Sequence, residues 1–284
     1  MAQLTLDQLR RFGLTPDTNL GQHFLTDDNV LRVIERLAQL GPDDVCYEPG
    51  VGVGVLTDFL ARRVKHVHGV EMDHRLEPAI DAMRADLDNV TIHWSDATKL
   101  DPATLTPEPT KLVSNLPYHV AAPIVAEAIQ HSPGLESYCV MVQREVGERF
   151  FAPEGSKGYN ALSALLRTTC TKTGQHRVSR QVFVPPPNVD SMLIAFDRHH
   201  DLIAPERVPG YSAFLKQAFQ HRRKTLANNL QTGGIALREA TVAALASVEL
   251  PPAARPEQVS PERFVKLFDQ LGAASEAARR EDAT

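Results

Sequence analysis

The chain has 284 residues, of which 43% are hydrophobic, and its formal net charge is −5. This is enough apolar material to bury a core in one large domain, or in one large and one small domain. No run approaches the roughly 20 apolar residues that a membrane-spanning helix needs, so we expect a cytoplasmic protein with no membrane partner. The three cysteines, Cys46, Cys139 and Cys170, are widely spaced, so we predict neither a disulfide nor a metal site.

An acidic protein is at first sight a poor partner for nucleic acid, but the charge of this chain is unevenly distributed. Residues 140–230 contain 13 Lys and Arg and only 7 Asp and Glu, whereas residues 1–139 contain 11 and 20. A basic region inside an acidic protein is what a nucleic-acid-binding face requires. An ordinary solvated surface with uneven charge explains the same counts equally well.

Apolar runs alternate with helical patterns in the first half of the chain. The runs predict strands over residues 44–48, 66–71, 90–94, 111–114 and 138–142. The helical patterns lie between them, over residues 56–64, 75–85 and 123–131. Strands separated by helices predict an α/β fold with a parallel, doubly wound sheet, in which ligands bind at the carboxyl ends of the strands.

The pattern changes after residue 143. We predict a helix, a loop and a helix at residues 160–170, then strands at 175–184 and 191–196, a linker at 198–210, and helices at 211–230, 237–246 and 261–271. This order divides the chain into a large domain over residues 1–200, a small helical domain over residues 208–272, and a disordered tail over residues 273–284.

A glycine loop follows the first of these strands, in residues 48–54 (EPGVGVG). Glycines such as Gly50 and Gly52 let the backbone turn sharply and approach a ligand closely. Such a loop alone fits a dinucleotide, a nucleoside or no ligand.

Two acids sharpen the interpretation. Glu71 ends the next strand, where a carboxylate can accept both hydroxyls of a ribose, and Asp96 follows the third, where an acid can bind an adenine amine. Either acid alone is as well explained as a helix cap or a solvated loop residue. Together with the glycine loop, the two acids favour S-adenosylmethionine over NAD. Met72 and Ala97, which adjoin them, complete the expected cofactor-binding set.

The strongest local signal is Asn115, Leu116, Pro117 and Tyr118, which follow the fourth strand. The lone pair of an exocyclic adenine amine is delocalised into the ring, so a methyltransferase must hold that nitrogen in a reactive geometry. The Asn115 side-chain oxygen and the Leu116 carbonyl can each accept one amine hydrogen and aim the lone pair at a methyl donor. Pro117 stiffens the turn, and Tyr118 offers a flat face to the base. A polar turn with a packed tyrosine is the alternative.

These motifs resemble the ribosomal RNA adenine dimethyltransferase family, which includes housekeeping small-subunit enzymes and macrolide-resistance enzymes. The resemblance extends from about residue 19 to residue 271. It is carried by residues 20–25 (LGQHFL), the glycine loop, Glu71, Asp96, residues 115–118 (NLPY) and residues 183–191 (FVPPPNVDS).

The resemblance implies roles for individual residues. His23 and Leu25 would lie against the cofactor, Gly50 under its methionine part, Glu71 on its ribose and Asp96 on its adenine. Asn115 would contact both the cofactor and the target amine. Tyr118 and Phe183 would stack on either side of a flipped base.

The chain departs from the family pattern at three positions. His23 stands where the family usually has Asn, Pro49 where it has an apolar residue, and Val51 where it has Pro. A proline at position 49 removes an amide and changes the entry to the glycine loop.

Residues 218–226 and the helices after them resemble the housekeeping enzymes. The implied substrate is two adjacent adenines near the 3′ end of small-subunit (16S) ribosomal RNA, methylated in an assembling subunit by a monomeric enzyme. We expect phosphate contacts from basic side chains of both domains. The candidates are Arg144, Lys157, Arg222, Arg223 and Lys224.

Three alternatives remain at this stage. The first is a resistance-type methyltransferase of the large subunit (23S) RNA. The second is a non-catalytic ribosome-assembly or nucleic-acid-binding factor on the same fold. The third is an NAD-dependent oxidoreductase, which gives no role to residues 115–118.

Overall fold

The computed structural model describes the backbone of residues 2–281 and the side chains of residues 7–272. The helices are α1 (Ala2–Arg11), α2 (Asp28–Ala38), α3 (Val55–Ala61), α4 (Glu77–Arg84), α5 (Ala121–His131), α6 (Arg144–Phe150), α7 (Ala161–Thr169), α8 (Val208–Ala218), α9 (Leu226–Thr232), α10 (Arg238–Ser247) and α11 (Pro261–Glu281). The strands are β1 (Phe24–Leu25), β2 (Val45–Pro49), β3 (His66–Glu71), β4 (Val90–Trp94), β5 (Lys111–Asn115), β6 (Ser137–Gln143), β7 (Cys170–Val178), β8 (Phe183–Val184) and β9 (Ser191–Arg198).

Seven strands form one sheet in the order β4-β3-β2-β5-β6-β9-β7. The first five run parallel to their neighbours, and β9 pairs with β6 in the antiparallel direction. The prediction of a doubly wound α/β fold is confirmed. Because β2, β3, β4 and β5 are parallel, the residues that follow them meet at one edge of the sheet.

The core of the sheet is built from strands that are buried on both faces. All five residues of β2 are buried, which is why its sequence is a continuous apolar run apart from Glu48. Helix α2 packs against β5, β6 and β9, and α3 packs against β3. Asp27 begins α2 by accepting the Asn29 and Val30 amides. This helix precedes the first element that the sequence analysis predicted.

The strand predicted at residues 175–184 is two strands. Strand β7 ends at Val178, and a 3-10 turn follows in which the Ser179 hydroxyl accepts the Gln181 amide at 3.3 Å. Strand β8 then leaves the large sheet and pairs with β1, with Phe24 opposite Val184. The chain breaks here because β8 pairs with β1, a segment about 160 residues away in sequence. The local apolar pattern does not reveal such a distant partner.

The chain divides into two compact units, residues 1–147 with 172–198, and residues 148–171 with 199–284. Residues 148–171, which the sequence analysis assigned to the first domain, therefore belong to the second unit. Tyr159 explains this assignment, because its hydroxyl donates to the Val259 carbonyl at 2.9 Å inside that unit. Helix α11 continues past residue 272, where we expected a tail, and residues 282–284 lie outside the described part of the chain.

The helix predicted at residues 211–230 is also two helices. Helix α8 ends at Ala218, and α9 begins after Thr225, whose hydroxyl accepts the Asn228 amide. The buried Asn229 side chain donates to the carbonyls of Ala218 and His221 at 2.7 and 3.2 Å and closes the turn between the helices. A side-chain cap and a buried amide therefore interrupt a continuous helical pattern.

Across residues 2–281, no helix is both long and apolar enough to cross a membrane. Cys46, Cys139 and Cys170 are all buried and unbridged. A buried free cysteine packs as a small apolar residue.

Candidate active site

A cavity of about 240 Å³ lies at the carboxyl ends of the parallel strands. It collects residues that the sequence analysis selected from five separate motifs. These are His23, Leu25, Gly50, Gly52, Glu71, Met72, Asp96, Ala97, Asn115 and Pro117. The sheet topology therefore brings the predicted cofactor-binding set to one place.

The glycine loop is fixed to β3 by its own backbone. The amides of Gly50 and Val51 both donate to the Val70 carbonyl, at 2.8 and 3.2 Å. Gly52 has a φ of +62°, and a Cβ there would lie 2.9 Å from the Phe24 ring. Side chains at this position are excluded both by backbone conformation and by contact with β1.

The unusual Pro49 fits the strand without disturbing the loop. The pairing of β2 with β5 ends at Tyr47 and Leu112, and the Ser114 hydroxyl then donates to the Pro49 carbonyl at 2.7 Å. An amide at position 49 would point toward β5, as the Pro49 carbonyl does. At that position the Ser114 side chain, not a main-chain group of β5, makes the hydrogen bond, so the missing amide removes no main-chain hydrogen bond between the strands. The proline therefore leaves the contacts between the loop and β3 intact.

Glu71 is held by three main-chain amides. One carboxylate oxygen accepts the Gly52 amide at 2.8 Å, and the other accepts the Met72 and Asp73 amides, each at 2.9 Å. Burial raises the pKa of Glu71, and these three hydrogen bonds oppose the rise by favouring the charged form. The oxygen that accepts the Gly52 amide retains one acceptor site for a ribose hydroxyl, whereas the two amides fill the other oxygen. The three amides orient the carboxylate before any ligand arrives.

Glu48 is a cavity residue to which the sequence analysis gave no role. It is 1% exposed, and one of its oxygens accepts the Thr57 hydroxyl at 2.7 Å. Burial raises the pKa of Glu48 well above its ordinary value, and the nearby Glu71 charge adds to the rise. The sequence did contain a signal for a role of Glu48, because an acid inside the otherwise apolar strand β2 is unusual.

Gln22 connects residues 20–25 to the end of β3. Its amide nitrogen donates to Asp73 at 2.7 Å, and its oxygen accepts the Asp17 amide at 2.7 Å. Hydrogen bonds from Arg75, together with the one from Gln22, lower the pKa of Asp73 to about 2. The charged carboxylate thus anchors a motif that lies 51 residues away in sequence.

Asp96 is the more exposed of the two predicted cofactor acids, with 35% of its side chain accessible. One of its oxygens accepts both the amide and the hydroxyl of Thr98, at 2.9 and 2.7 Å. These hydrogen bonds lower the pKa of Asp96 and keep it ionised. The second oxygen lies 3.7 Å from the Lys99 ammonium.

The Asn115 side chain has a defined orientation. Its nitrogen donates to the His23 carbonyl at 3.0 Å. Because a carbonyl can only accept, the amide nitrogen must face His23, and the amide oxygen is the atom left for a ligand. The next residue, Leu116, is fixed through its amide, which donates to the Met141 carbonyl at 3.1 Å.

His23 links three of the motifs. Its Nδ1 lies 2.8 Å from the Pro185 carbonyl and must therefore carry a proton. Its ring stacks on Tyr118, with centroids 5.6 Å apart and planes 24° apart. With its carbonyl bound to Asn115, this one residue contacts the 115–118 and 183–191 motifs together.

The structure does not place the two predicted base-stacking residues in the cavity. The Tyr118 hydroxyl is hydrogen-bonded to the buried Ser191 at 2.6 Å. Phe183 is 1% exposed and packs in the hydrophobic core. Both rings are engaged with the protein in this conformation, so a base can stack on Phe183 only after the ring becomes accessible.

The candidate RNA contacts are exposed and lie in both units. Arg144 belongs to the first unit, and Lys157, Arg222, Arg223 and Lys224 belong to the second. The Arg222 guanidinium donates to the Lys157 carbonyl, so two candidates from distant parts of the sequence are neighbours. Among the described residues, no group of three or more His, Cys, Asp or Glu could hold a metal ion.

The doubly wound sheet and a cavity with a glycine loop and two acids define a Rossmann-like methyltransferase domain. Solved structures that match most of the chain include the following two. A dimethyladenosine transferase from Plasmodium falciparum is 23% identical, with a TM-score of 0.69 over 88% of this chain and 98% of that one. The 23S rRNA methyltransferase ErmE is 25% identical, with a TM-score of 0.65 over 88% and 99%.

Sequence comparisons narrow the class. The model of the ribosomal RNA adenine dimethylase family matches residues 14–271. The ribosomal RNA small subunit methyltransferase A of Rubrobacter xylanophilus is 41% identical, covering 90% of this chain and 95% of that protein. The protein of the same name from Lactiplantibacillus plantarum is 37% identical, covering 93% and 92%. The chain belongs to the ribosomal RNA adenine dimethylase family, as its motifs predicted.

Proposed function

We propose that this protein uses S-adenosylmethionine to dimethylate two adjacent adenines near the 3′ end of small-subunit (16S) ribosomal RNA. Relatives named as small-subunit methyltransferases, at 41% and 37% identity, support this substrate over the large-subunit alternative. The observation that carries the reaction is the orientation of Asn115, whose amide oxygen is left for a ligand because its nitrogen is bound to His23.

The cavity fits the cofactor chemically. Glu71 presents a preoriented carboxylate for the ribose hydroxyls, and Asp96 presents one for the adenine amine. Apolar side chains, among them Val51, Leu56 and Val70, form walls for the flat base. When bound, the cofactor supplies an electrophilic methyl group on a sulfonium.

The chain's own contribution to the reaction is positioning. The Asn115 oxygen and the Leu116 carbonyl would each accept one hydrogen of the target amine, which directs the nitrogen lone pair away from both. Holding the amine in this geometry converts a delocalised lone pair into an available one. The methylated amine is acidic and loses its proton readily, so a dedicated general base is not required.

The RNA partner would be recognised through phosphates. The five exposed basic candidates fit this role, and we assign the helical residues 208–272 to RNA binding and the first unit, residues 1–147 with 172–198, to methyl transfer. We expect the protein to act as a monomer in the cytoplasm on an assembling small subunit. Stacking on Tyr118 and Phe183 would offset the unstacking of the target adenine once the RNA draws these rings into the site.

The decisive experiment supplies labelled S-adenosylmethionine with unmethylated small subunits or with large subunits, and then maps the modified nucleotides. We expect label in two adjacent adenines of small-subunit RNA and none in the large subunit. Label confined to large-subunit RNA would establish the resistance-type alternative. No label in either, with cofactor bound, would establish a non-catalytic factor.

A second experiment tests the RNA contacts. Replacing Arg222, Arg223 and Lys224 with Ala should weaken RNA binding and lower the slope of log affinity against log salt by about 0.7 to 0.9 for each phosphate that is no longer neutralised. Lys266→Ala, a basic residue of α11 outside the candidate set, is the matched control. An unchanged salt slope in the triple variant would remove these residues from the interface.

A further inference from the structure

The segment that leads from β7 through β8 to the start of β9 is basic, and it belongs to the first unit. Residues 172–189 contain three Lys and Arg and no Asp or Glu. The three basic residues are Lys172, Arg177 and Arg180, none of which the sequence analysis selected as an RNA contact. Arg180 lies in the 3-10 turn between β7 and β8.

Asp190 connects Arg180 to a residue that we already assign to RNA. The Arg144 amide donates to the Asp190 carbonyl at 3.0 Å, and the Arg180 amide donates to the Asp190 carboxylate at 3.2 Å. The next residue, Ser191, pairs with Gln143, the last residue of β6. The two arginines are therefore neighbours at the carboxyl edge of the parallel strands, the edge that carries the cofactor cavity.

Residues 186–190, which we call the rim loop, are anchored at both ends beside this cavity. Before the loop, the Pro185 carbonyl accepts the His23 Nδ1 proton at 2.8 Å. After the loop, the Ser191 hydroxyl is hydrogen-bonded to the Tyr118 hydroxyl at 2.6 Å. Because His23 also stacks on Tyr118, the rim loop borders the region that would receive the target base.

The exposed guanidinium of Arg180 is only partly used by the protein. One of its terminal nitrogens donates to the Asn188 carbonyl of the rim loop at 3.2 Å. Within the described part of the chain, no carboxylate is close enough to form an ion pair with this guanidinium. A guanidinium has five N–H donors, so those that remain can bind the oxygens of a phosphate.

An exposed apolar side chain lies on the same loop. Val189 is 47% exposed, and it directly follows Asn188, the residue that Arg180 contacts. The loop therefore combines a cation with an apolar surface. A nucleotide of a single strand has the complementary combination, because its phosphate is charged and its base has an apolar face. An inorganic anion would have no use for Val189.

We propose that Arg180 and Val189 form a subsite for the nucleotide that neighbours the target adenine, with a phosphate on the guanidinium and the base against Val189. This inference rests on the proposed function, because it requires an RNA whose target adenine is drawn out of its strand. Removing that adenine from the stack uncovers a face of the neighbouring base, which Val189 would cover. Arg180 is a binding residue in this arrangement and does not contact the reacting atoms.

The first test measures the affinity of the full chain for unmethylated small subunits at several salt concentrations. Arg180→Ala should weaken binding about three- to tenfold. It should also lower the slope of log affinity against log salt by about 0.7, the value for one phosphate of a single strand. Arg180→Lys should retain the slope, because it retains the charge.

Arg36→Ala is the matched control and should change neither the affinity nor the slope. Arg36 is an exposed arginine in the last turn of α2, in the same unit. That end of α2 lies at the opposite edge of the sheet, where Lys111, the first residue of β5, donates to the Ala38 carbonyl at 2.8 Å.

Transfer rates separate phosphate binding from a structural role of Arg180. With Arg180→Ala, KM for small subunits should rise, while the single-turnover rate at saturating subunits should stay within about twofold of the wild-type rate. A residue that only holds the rim loop through the Asn188 carbonyl would give the reverse result, a lower saturated rate with an unchanged salt slope. That result would overturn the proposal.

The second test locates the subsite on the RNA. Val189→p-benzoylphenylalanine places a photoreactive group on the rim loop, and illumination with bound small subunits should crosslink it to a nucleotide that directly neighbours a methylated adenine. Leu237→p-benzoylphenylalanine, at another exposed apolar position, is the control and should not label that nucleotide. Crosslinks from position 189 to a ribosomal protein, or only to RNA far from these adenines, would contradict the proposed subsite.

The outcomes distinguish this proposal from the proposed function. If the wild-type protein transfers no methyl group to small subunits, the proposed function is overturned. If it does transfer methyl groups, and Arg180→Ala matches Arg36→Ala in affinity and in salt slope, only the nucleotide subsite is overturned.

Discussion

The cofactor side and the target-base side of this site are built differently. On the cofactor side, main-chain amides hold Glu71, and the Val70 carbonyl holds the glycine loop. On the base side, Tyr118 is bound to Ser191, and Phe183 is packed in the core. The first set of residues faces the cavity, whereas the second is engaged with the protein itself.

This difference assigns different energetic roles to the two sides. Groups that are already oriented lose little freedom when a ligand binds, so the cofactor side is preorganised. The base side must exchange internal contacts for contacts with the base, and the RNA has to supply the free energy of that exchange. Changes on the cofactor side should therefore alter cofactor affinity, and changes on the base side should alter turnover with RNA.

Asn115 belongs to the boundary of the two sides, and its removal should have the largest effect. Asn115→Ala removes one acceptor for the target amine, and we expect methyl transfer to fall by about a hundredfold or more. Binding of S-adenosylhomocysteine should fall far less. The measurements are single-turnover transfer to small subunits and calorimetric titration, with Asn29→Ala on the exposed face of α2 as the control. Turnover equal to that of the control would remove the proposed role.

Glu71 tests the preorganisation of the cofactor side. In Glu71→Gln, an NH2 group must face at least one of the main-chain amides that the carboxylate accepts, so donor opposes donor. We expect a loss of about 1–3 kcal/mol in the free energy of unfolding together with weaker binding of S-adenosylhomocysteine. Denaturant unfolding and calorimetry measure the two effects, and Glu77→Gln on α4 is the exposed control. Unaltered stability would mean that the three amides do not orient this side chain.

Acid should destabilise the sheet through the buried His68. On β3, the His68 Nδ1 is hydrogen-bonded to the His93 Nε2 of β4 at 3.1 Å. The other ring nitrogen of His68, Nε2, lies 2.9 Å from the Pro107 carbonyl. Burial lowers the pKa of His68 to about 4, and the nearby His66 and His93 contribute to the decrease.

Since the unfolded chain takes up this proton near pH 6.5 and the folded chain does so near pH 4, stability should fall as the pH drops between these values. We expect a loss of up to about 3 kcal/mol from this residue. Denaturant unfolding at several pH values measures the slope, and His68→Gln should reduce it. The exposed His176→Gln is the control, and a slope that His68→Gln leaves unchanged would assign the acid sensitivity to other groups.

Ser191 tests the base side and should give the smallest effect. Ser191→Ala removes the partner of the Tyr118 hydroxyl, which costs about 0.5–1.5 kcal/mol. We expect kcat/KM for the RNA substrate to change by less than about tenfold, while the affinity for S-adenosylhomocysteine stays constant. Tyr118→Phe removes the same hydrogen bond from the other end and should match it. A large loss of cofactor affinity in either variant would contradict the separation of the two sides.

Local sequence patterns predicted some parts of this structure better than others. Strands β2 to β6 were predicted to within a few residues, because each is an apolar run with a turn signal at its end. The breaks inside residues 175–184 and 211–230 were missed. There the local pattern is continuous, and the interruption comes from pairing with β1 and from the Thr225 cap with the buried Asn229.

The sequence by itself determined that the residues after β2, β3, β4 and β5 meet at the cofactor cavity, because parallel strands place their carboxyl ends, and whatever follows them, at one edge of a sheet. Only the tertiary structure decided how those residues are oriented and which of them are covered. The Asn115 amide is turned by a carbonyl 92 residues away, and Phe183 is covered by the core. Periodicity reports neighbours a few positions apart, whereas these contacts depend on where distant segments cross.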